Sequence, residues 1–322
     1  MIVSRTPYRI SCFGGGSDYP AWYREYGGCV LSATINRYCY ISARWLPPFF
    51  PHRNRIVWSK TEMVKDRSEI EHPAVRASLE WLDLDGVEIH HDGDLPARSG
   101  IGSSSAFAVG LLHALHGLRG QMIGPEELAQ AATYLEQNLL HSPVGCQDQI
   151  LCALGGFRLV TFEPSGEWRA DPIMLPTERI RQVEDRLLLF YTGPRQTVPP
   201  PGKQNDHPLH RIQDMPRRAL DILVNGNIED FGALLDESWW AKRELHRGIS
   251  TPDVDGLYEA ARRAGASGGK LLGSGGGGFL LLFAEPQFQA NVLRELAGLV
   301  HVPFAFEHQG SQIVYYQPEP RP

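Results

Sequence analysis

The first half of the chain reads as short apolar runs cut by turn residues: positions 30–33, 39–43, 56–58, 87–90 and 157–162 all predict extended strands. Two helical patterns interrupt them. In the first, Phe107, Ala108, Leu111, Leu112 and Leu115 recur on one helical face. The second runs from Pro125 to Leu140, with Pro125 at a favoured first position, Glu126 and Glu127 at the positive dipole end, and an apolar stripe of Leu128, Ala131, Ala132, Leu135 and Leu139. At about 100° per residue, Glu136 falls roughly 80° from Leu128, on the border of that stripe.

Between about 164 and 186 the pattern turns polar, with Pro164, Gly166, Pro172 and Pro176, and predicts a domain junction. A strand at 187–191 reopens regular structure. The stretch Pro194 to Pro208 is proline-rich and predicts an irregular surface loop, a candidate lid. Helices are expected at 209–224, 227–247 and 253–264, then strand, glycine turn and strand through 270–283, a helix at 286–299 and a last strand at 312–316. The fold class is α+β in two domains, residues 1–170 and 171–322, which suits a chain of 322 residues.

A net charge of −6 argues against a general nucleic-acid binder, so any anionic ligand must be held locally. No apolar run is long enough to span a membrane and the N-terminus has no secretory pattern, which makes a cytoplasmic location the expectation. Five cysteines without CxxC spacing predict buried, reduced thiols. His113 and His116 lack ligand-spaced Cys or Glu and predict packing, not a metal site. Trp239 and Trp240 fit either a sugar-stacking wall or the core. A homodimer is left open.

Three distant glycine segments carry the chemistry: Gly14-Gly15-Gly16, Gly100 to Ser105, and Gly273 to Gly278. The middle one, Gly100-Ile101-Gly102-Ser103-Ser104-Ser105, feeds three hydroxyls into a helix start, where unpaired N–H groups and the dipole favour phosphate. A P-loop string and the protein-kinase motif set are absent. Gly273, Gly275 and Gly278 match GxGxxG, but a strand follows where a dinucleotide fold needs a helix. Asp148, within Gly145-Cys146-Gln147-Asp148-Gln149, could orient an acceptor hydroxyl and take its proton, and Glu136 could hold a divalent cation. Asp18 could accept hydrogen bonds from sugar hydroxyls, and Arg9 could offset phosphate charge.

In this order, the three segments resemble the motifs of the GHMP small-molecule kinases: Pro7-Tyr8-Arg9 through Asp18, Pro96 through Ala106, and Lys270 through Gly278. The resemblance spans nearly the whole chain. It implies an N-terminal ribosomal-S5-like domain, a C-terminal ferredoxin-like α/β sandwich, and ATP-dependent phosphorylation of a small molecule. Within the family, the subgroup acting on heptose 7-phosphate is most similar, through Phe13-Gly14-Gly15-Gly16-Ser17-Asp18, Tyr191-Thr192-Gly193 and Glu237-Ser238-Trp239. Galactokinase-like or fucokinase-like activity on a free sugar, and a silent sugar sensor, are the alternatives.

The resemblance implies catalytic roles for Asp148 and Arg9, and Mg²⁺ held by Ser104 and Glu136. It assigns ATP phosphates to Gly100, Ile101, Gly102, Ser103, Ser104 and Ser105, with Arg98 beside them as a departure from the small residue usual there. It assigns the sugar phosphate to Asp18, Gly15, Gly16, Ser17, Thr192, Gly276, Gly277, Arg195 and Lys203. Arg24, Arg37 and Arg44 are further candidates for a distal phosphate pocket.

Overall fold

The computed structural model describes residues 1–194 and 207–319. Two sheets organise it. The first begins with β1 (Ile2–Phe13), α1 (Pro20–Tyr26), β2 (Gly28–Trp45), β3 (Asn54–Val57), β4 (Thr61–Val64), α2 (Pro73–Trp81) and β5 (Val87–Gly93). Three helices follow, α3 (Ser103–Leu118), α4 (Pro125–Tyr134) and α5 (Gln147–Leu154), then β6 (Phe157–Phe162) and β7 (Trp168–Pro172). After α6 (Thr177–Glu184), the second sheet is laid down by β8 (Leu187–Tyr191), α7 (His207–Asn225), α8 (Glu229–Leu245), α9 (Pro252–Arg263), β9 (Ala266–Leu271), β10 (Phe279–Ala284), α10 (Pro286–Glu295) and β11 (Val300–His301). The last two strands are β12 (Phe306–Glu307) and β13 (Gln312–Tyr316).

The first sheet runs β13-β1-β2-β5-β3-β4, with β6 and β12 also on β2 and β7 on β6. The second runs β11-β8-β10-β9, all antiparallel, with helices between β8 and β9 and between β10 and β11. That is the βαββαβ ferredoxin-like arrangement. The boundary drawn at residue 170 divides the sequence, not the sheets. Strand β7 and helix α6 occupy the stretch read as a junction, and β12 and β13 return from the second half to pair with β2 and β1. The expected loop at 194–208, with Arg195 and Lys203, lies outside the described residues except at its two ends.

The two strands expected at 30–33 and 39–43 are one, β2, of 18 residues. Asn36 and Arg37 look like a break in sequence but form a bulge, where pairing with β1 shifts from Pro7↔Tyr38 to Tyr8↔Ile35. Pro7, lacking an N–H, pairs with Tyr38 at the edge of the bulge, where the ladder is interrupted. Strand β1 escapes a period-2 reading because both its faces are covered: every residue from Thr6 to Phe13 is buried, Arg9 and Ser11 included. The expected stripe on α3 is real, and the helix is buried almost all round. His113 donates or accepts at Ser311 Oγ, 2.9 Å away, and burial holds its imidazole down at about 4, so it is a packed histidine. All five cysteines are buried thiols. Trp239 is fully buried in the second core, while its neighbour Trp240 is 49% exposed. Among the described residues no helix is long and apolar enough to cross a membrane.

Helix α8 lies so close on β9 that Gly232 and Gly268 touch backbone to backbone. A Cβ on Gly268 would lie 1.9 Å from the Gly232 carbonyl oxygen. Gly268→Ala is therefore expected to lower stability by about 2 kcal/mol or more through overpacking against backbone that cannot yield. Urea unfolding checks this, and an unchanged midpoint would contradict the close packing described.

Candidate active site

Helix α3 starts at Ser103, directly after Gly102, which adopts the left-handed conformation at φ 73°. No side chain caps it, so its first N–H groups stay available at the positive end of a 16-residue helix. The preceding turn is strained for side chains, with Arg98 at φ 57° and Gly100 at φ 88°. The Arg98 N–H donates to Ser103 Oγ at 2.9 Å, which closes the loop on itself and leaves the guanidinium exposed at the cleft mouth.

Beneath this helix start lies an ion pair. Arg9 Nε donates to Asp148 Oδ1 at 2.7 Å and Arg9 Nη2 to Oδ2 at 2.6 Å, a bidentate fork, while Nη1 donates to the Gly100 carbonyl at 2.9 Å. Arg9 is buried; the Asp148 side chain is 24% exposed and opens on the cleft. Despite the burial that opposes its charge, Arg9 is held above its ordinary value by Asp148. Asp148 lies in the first turn of α5, where the dipole favours a carboxylate.

Glu136 reaches the same helix start from another direction. The helix expected to run unbroken from Pro125 to Leu140 instead ends at Tyr134 and continues as a π turn, Leu135–Leu139, with Leu140 N–H bonded to the Leu135 carbonyl. The wider turn carries Glu136 off the border of the stripe into the interior, a device frequent at functional sites. Its Oε2 accepts from Ser105 Oγ at 2.6 Å and from Gln149 Nε2, and Ser104 also interacts with it. Burial, foremost, and Asp148 push its carboxyl up.

The cleft itself holds about 500 Å³, within the range of small-molecule sites. Gly15, Gly16, Asp18, Gly145, Gln147 and Asp148 form part of it, with Gly100, Gly102, Ser103 and Ser104 beside them. Asp18 Oδ1 accepts from Gly16 N–H at 2.9 Å and Oδ2 from Gln147 N–H at 3.3 Å. Burial and then the Asp148 charge raise its pKa. The Ser11 and Ser274 hydroxyls also line the cleft, buried and without a partner among the described residues. Buried polar groups left open in a concave site call for a polar ligand.

Several expected contacts fall elsewhere. Ser17 is buried as a staple, its hydroxyl donating to the Gly14 and Cys29 carbonyls and accepting from Cys29 N–H. Ser105 faces Glu136, and Ile101 is core. Thr192, Gly276 and Gly277 are not on the cleft wall: Thr192 donates through N–H and Oγ1 to the Gly278 carbonyl, and Gly276 N–H to Ile249. The third glycine segment packs against the Gly100 loop through Gly273 and Gly278, and its Gly273 and Ser274 also line the cleft. A Cβ on Gly273 would lie 2.5 Å from Gly100 Cα, and one on Gly278 2.2 Å from the Ser99 carbonyl oxygen. Arg44 is paired with Glu88, Arg37 binds the Asn36 and Pro303 carbonyls, and neither these nor Arg24 reaches the cleft. Instead Lys242, His246 and Lys270 supply its further basic groups, none of which the sequence reading singled out. Lys270 had a signal: it is the one charge in the small and apolar strand Ala266–Leu271.

Comparison with known proteins gives the family. The chain matches the family model for the GHMP kinases N terminal domain over residues 67–156 and that for the GHMP kinases C terminal over residues 219–299. It is 24% identical to the D-glycero-alpha-D-manno-heptose 7-phosphate kinase of Campylobacter jejuni, over 92% of this chain and 93% of that protein. It is 29% identical to the L-fucokinase/L-fucose-1-P guanylyltransferase of Bacteroides fragilis, over 92% of this chain and 36% of that one. A solved D-glycero-D-manno-heptose 1-phosphate kinase from Bacteroides thetaiotaomicron shares the fold, with a TM-score of 0.79 at 24% identity over 98% of this chain and 100% of that chain.

Asp148→Ala strips the buried Arg9 of its counter-charge. The expected cost is about 3 kcal/mol, at the low end for a broken buried pair because Asp148 is partly exposed. Chemical denaturation reads it directly; a loss below about 1 kcal/mol would show the pair to be dispensable to the fold.

Proposed function

This chain belongs to the GHMP kinase family and is an ATP-dependent sugar kinase, and on that footing we propose that it phosphorylates the anomeric C1 hydroxyl of D-glycero-D-manno-heptose 7-phosphate. The product is the 1,7-bisphosphate, a precursor for nucleotide-activated heptose. The observation that carries the reading is the charge of the cleft. In a chain of net charge −6, the cleft gathers Arg9, Arg98, Lys242 and Lys270 against two carboxylates, Asp18 and Asp148. A substrate pair with phosphate on both partners suits that excess. The similarity to the Campylobacter jejuni heptose 7-phosphate kinase over nearly the full length of both proteins supports the choice of sugar.

The bare N–H groups at Ser103 to Ser105 receive the β and γ phosphates of ATP, at no cost in side-chain ordering. Asp148, fixed by the Arg9 fork, keeps its cleft-facing lone pairs for the acceptor hydroxyl and takes its proton as the oxygen attacks. Arg9 prevents the carboxylate from turning away and lowers the cost of placing it beside phosphate. Asp18, anchored by two backbone N–H groups, accepts from sugar hydroxyls and fixes the ring. Gly145 is required there, since a Cβ would lie 1.8 Å from Asp18 Oδ2.

Ser104 and Glu136 are the residues that would hold Mg²⁺. The donor set fits a hard cation: a buried carboxylate beside two hydroxyls, whose remaining positions triphosphate oxygens and water would supply. When bound, Mg²⁺ neutralises charge developing on the phosphates.

ADP release across a panel of free and terminally phosphorylated sugars tests the substrate. Turnover on heptose 7-phosphate well above that on free galactose or fucose is expected. Activity on free sugars alone would sink the assignment in favour of a galactokinase-like or fucokinase-like enzyme. For the metal, Glu136→Gln keeps an acceptor for Ser105 and Gln149 but loses the charge. It should retain the fold and raise the Mg²⁺ concentration for half-maximal rate at least about 10-fold; an unchanged Mg²⁺ titration would remove Glu136 from the metal site.

A further inference from the structure

Lys270 is a buried cation of this cleft that meets no carboxylate among the described residues. It projects from β9 of the second sheet, and its Nζ donates to the Cys12 carbonyl at the end of β1, 2.9 Å away. That is its one hydrogen bond among the described residues, and a lysine ammonium has three donors. A buried charge satisfied by one neutral carbonyl is costly to the fold, so its retention in a concave site points to an anion that arrives from outside. Burial, then the nearby Arg9 charge, push the ammonium down to about 8, against a pull upward from Cys12, so it stays largely protonated at neutral pH.

Arg9 cannot fill the same role. Three of its donors are committed, two to Asp148 and one to the Gly100 carbonyl, and the Arg9–Asp148 pair is neutral as a unit. Lys270 lines the same cleft and lies close enough to Arg9 to feel its charge. It is therefore the uncommitted full charge beside the fixed pair.

We propose that Lys270 is a further catalytic residue, whose ammonium binds an oxygen of the phosphoryl group as it passes from ATP to the acceptor. The proposal rests on the kinase reading but not on the identity of the sugar. The acceptor oxygen bonds to the γ-phosphorus as the bond to the bridging oxygen breaks. The electron pair leaves with ADP, and the hydroxyl proton goes to Asp148. Lys270 remains an ammonium throughout and contributes charge and N–H donors to the equatorial oxygens, where the negative charge of a loose transition state is spread.

The test uses whichever sugar the wild-type chain phosphorylates, so that the choice of sugar and the role of Lys270 are judged separately. Lys270→Met removes the charge at similar volume; Lys270→Gln also removes it but retains an N–H donor for the Cys12 carbonyl. Both should lose about 100-fold or more in kcat, with KM for ATP and sugar within about 3-fold, ADP binding by calorimetry intact, and melting temperature kept or raised. Lys270→Arg should recover part of the rate. A folded neutral variant with kcat within about 3-fold of wild type overturns the proposal. A loss confined to KM for a terminally phosphorylated sugar overturns it too, moving the cation to the acceptor's own phosphate. If both neutral variants fail to fold while Lys270→Arg is active, the residue is a bridge between the sheets and the proposal falls.

Discussion

The Arg9–Asp148 fork is the interaction on which the site depends, because it ties together side chains and backbone from three segments far apart in sequence. Arg9 comes from the middle of β1, Asp148 from the first turn of α5, and the third bond from Arg9 holds the Gly100 carbonyl of the phosphate loop. The Arg9 backbone repeats the link, donating to the Ile101 carbonyl. A planar guanidinium bound at two edges has little freedom to turn, so the carboxylate and the loop are fixed relative to each other. Desolvation of the pair is costly, and the geometry that offsets it is also the geometry that the proposed phosphoryl transfer would use.

Backbone contact between the two sheets' loops supplies the second constraint. Gly273 meets Gly100 and Gly278 meets Ser99, and within the second half Gly275 meets Ile249, each at distances that exclude a Cβ. Lys242, on α8, donates to the Leu271 and Gly273 carbonyls and holds the third glycine turn at the cleft. The phosphate loop is therefore clamped between Arg9 on one sheet and a glycine turn on the other. Its rigidity belongs to both halves of the chain, and so does the cleft.

Much of this was readable before the fold was known. The three serines at the helix start after Gly102 and the acid of Gln147-Asp148-Gln149 suggested phosphate binding and proton transfer from residue type alone, and the kinase class came from the resemblance of the three ordered glycine segments to the GHMP motifs. Two kinds of feature were not. Strand β1 hid its period because both of its faces are covered, and β2 looked like two strands because a bulge at Asn36 and Arg37 interrupts the apolar run. The π turn at Leu135–Leu139 had no sequence signal, since the apolar stripe of α4 continues through it.

Residue type and local spacing determined the class of chemistry: glycine, serine and a helix start for phosphate, one carboxylate to receive a proton, another for a cation. Only the tertiary structure decided which side chains face one cleft. It turned Ser17 and Thr192 into hydrogen-bond staples, packed the third glycine segment against the Gly100 loop, turned Glu136 inward, and brought Lys242 and Lys270 to the site. The reason is physical. Local propensity acts over a few residues, whereas Lys270 reaches Cys12 across 258 positions of chain, through the packing of two sheets that no local pattern encodes.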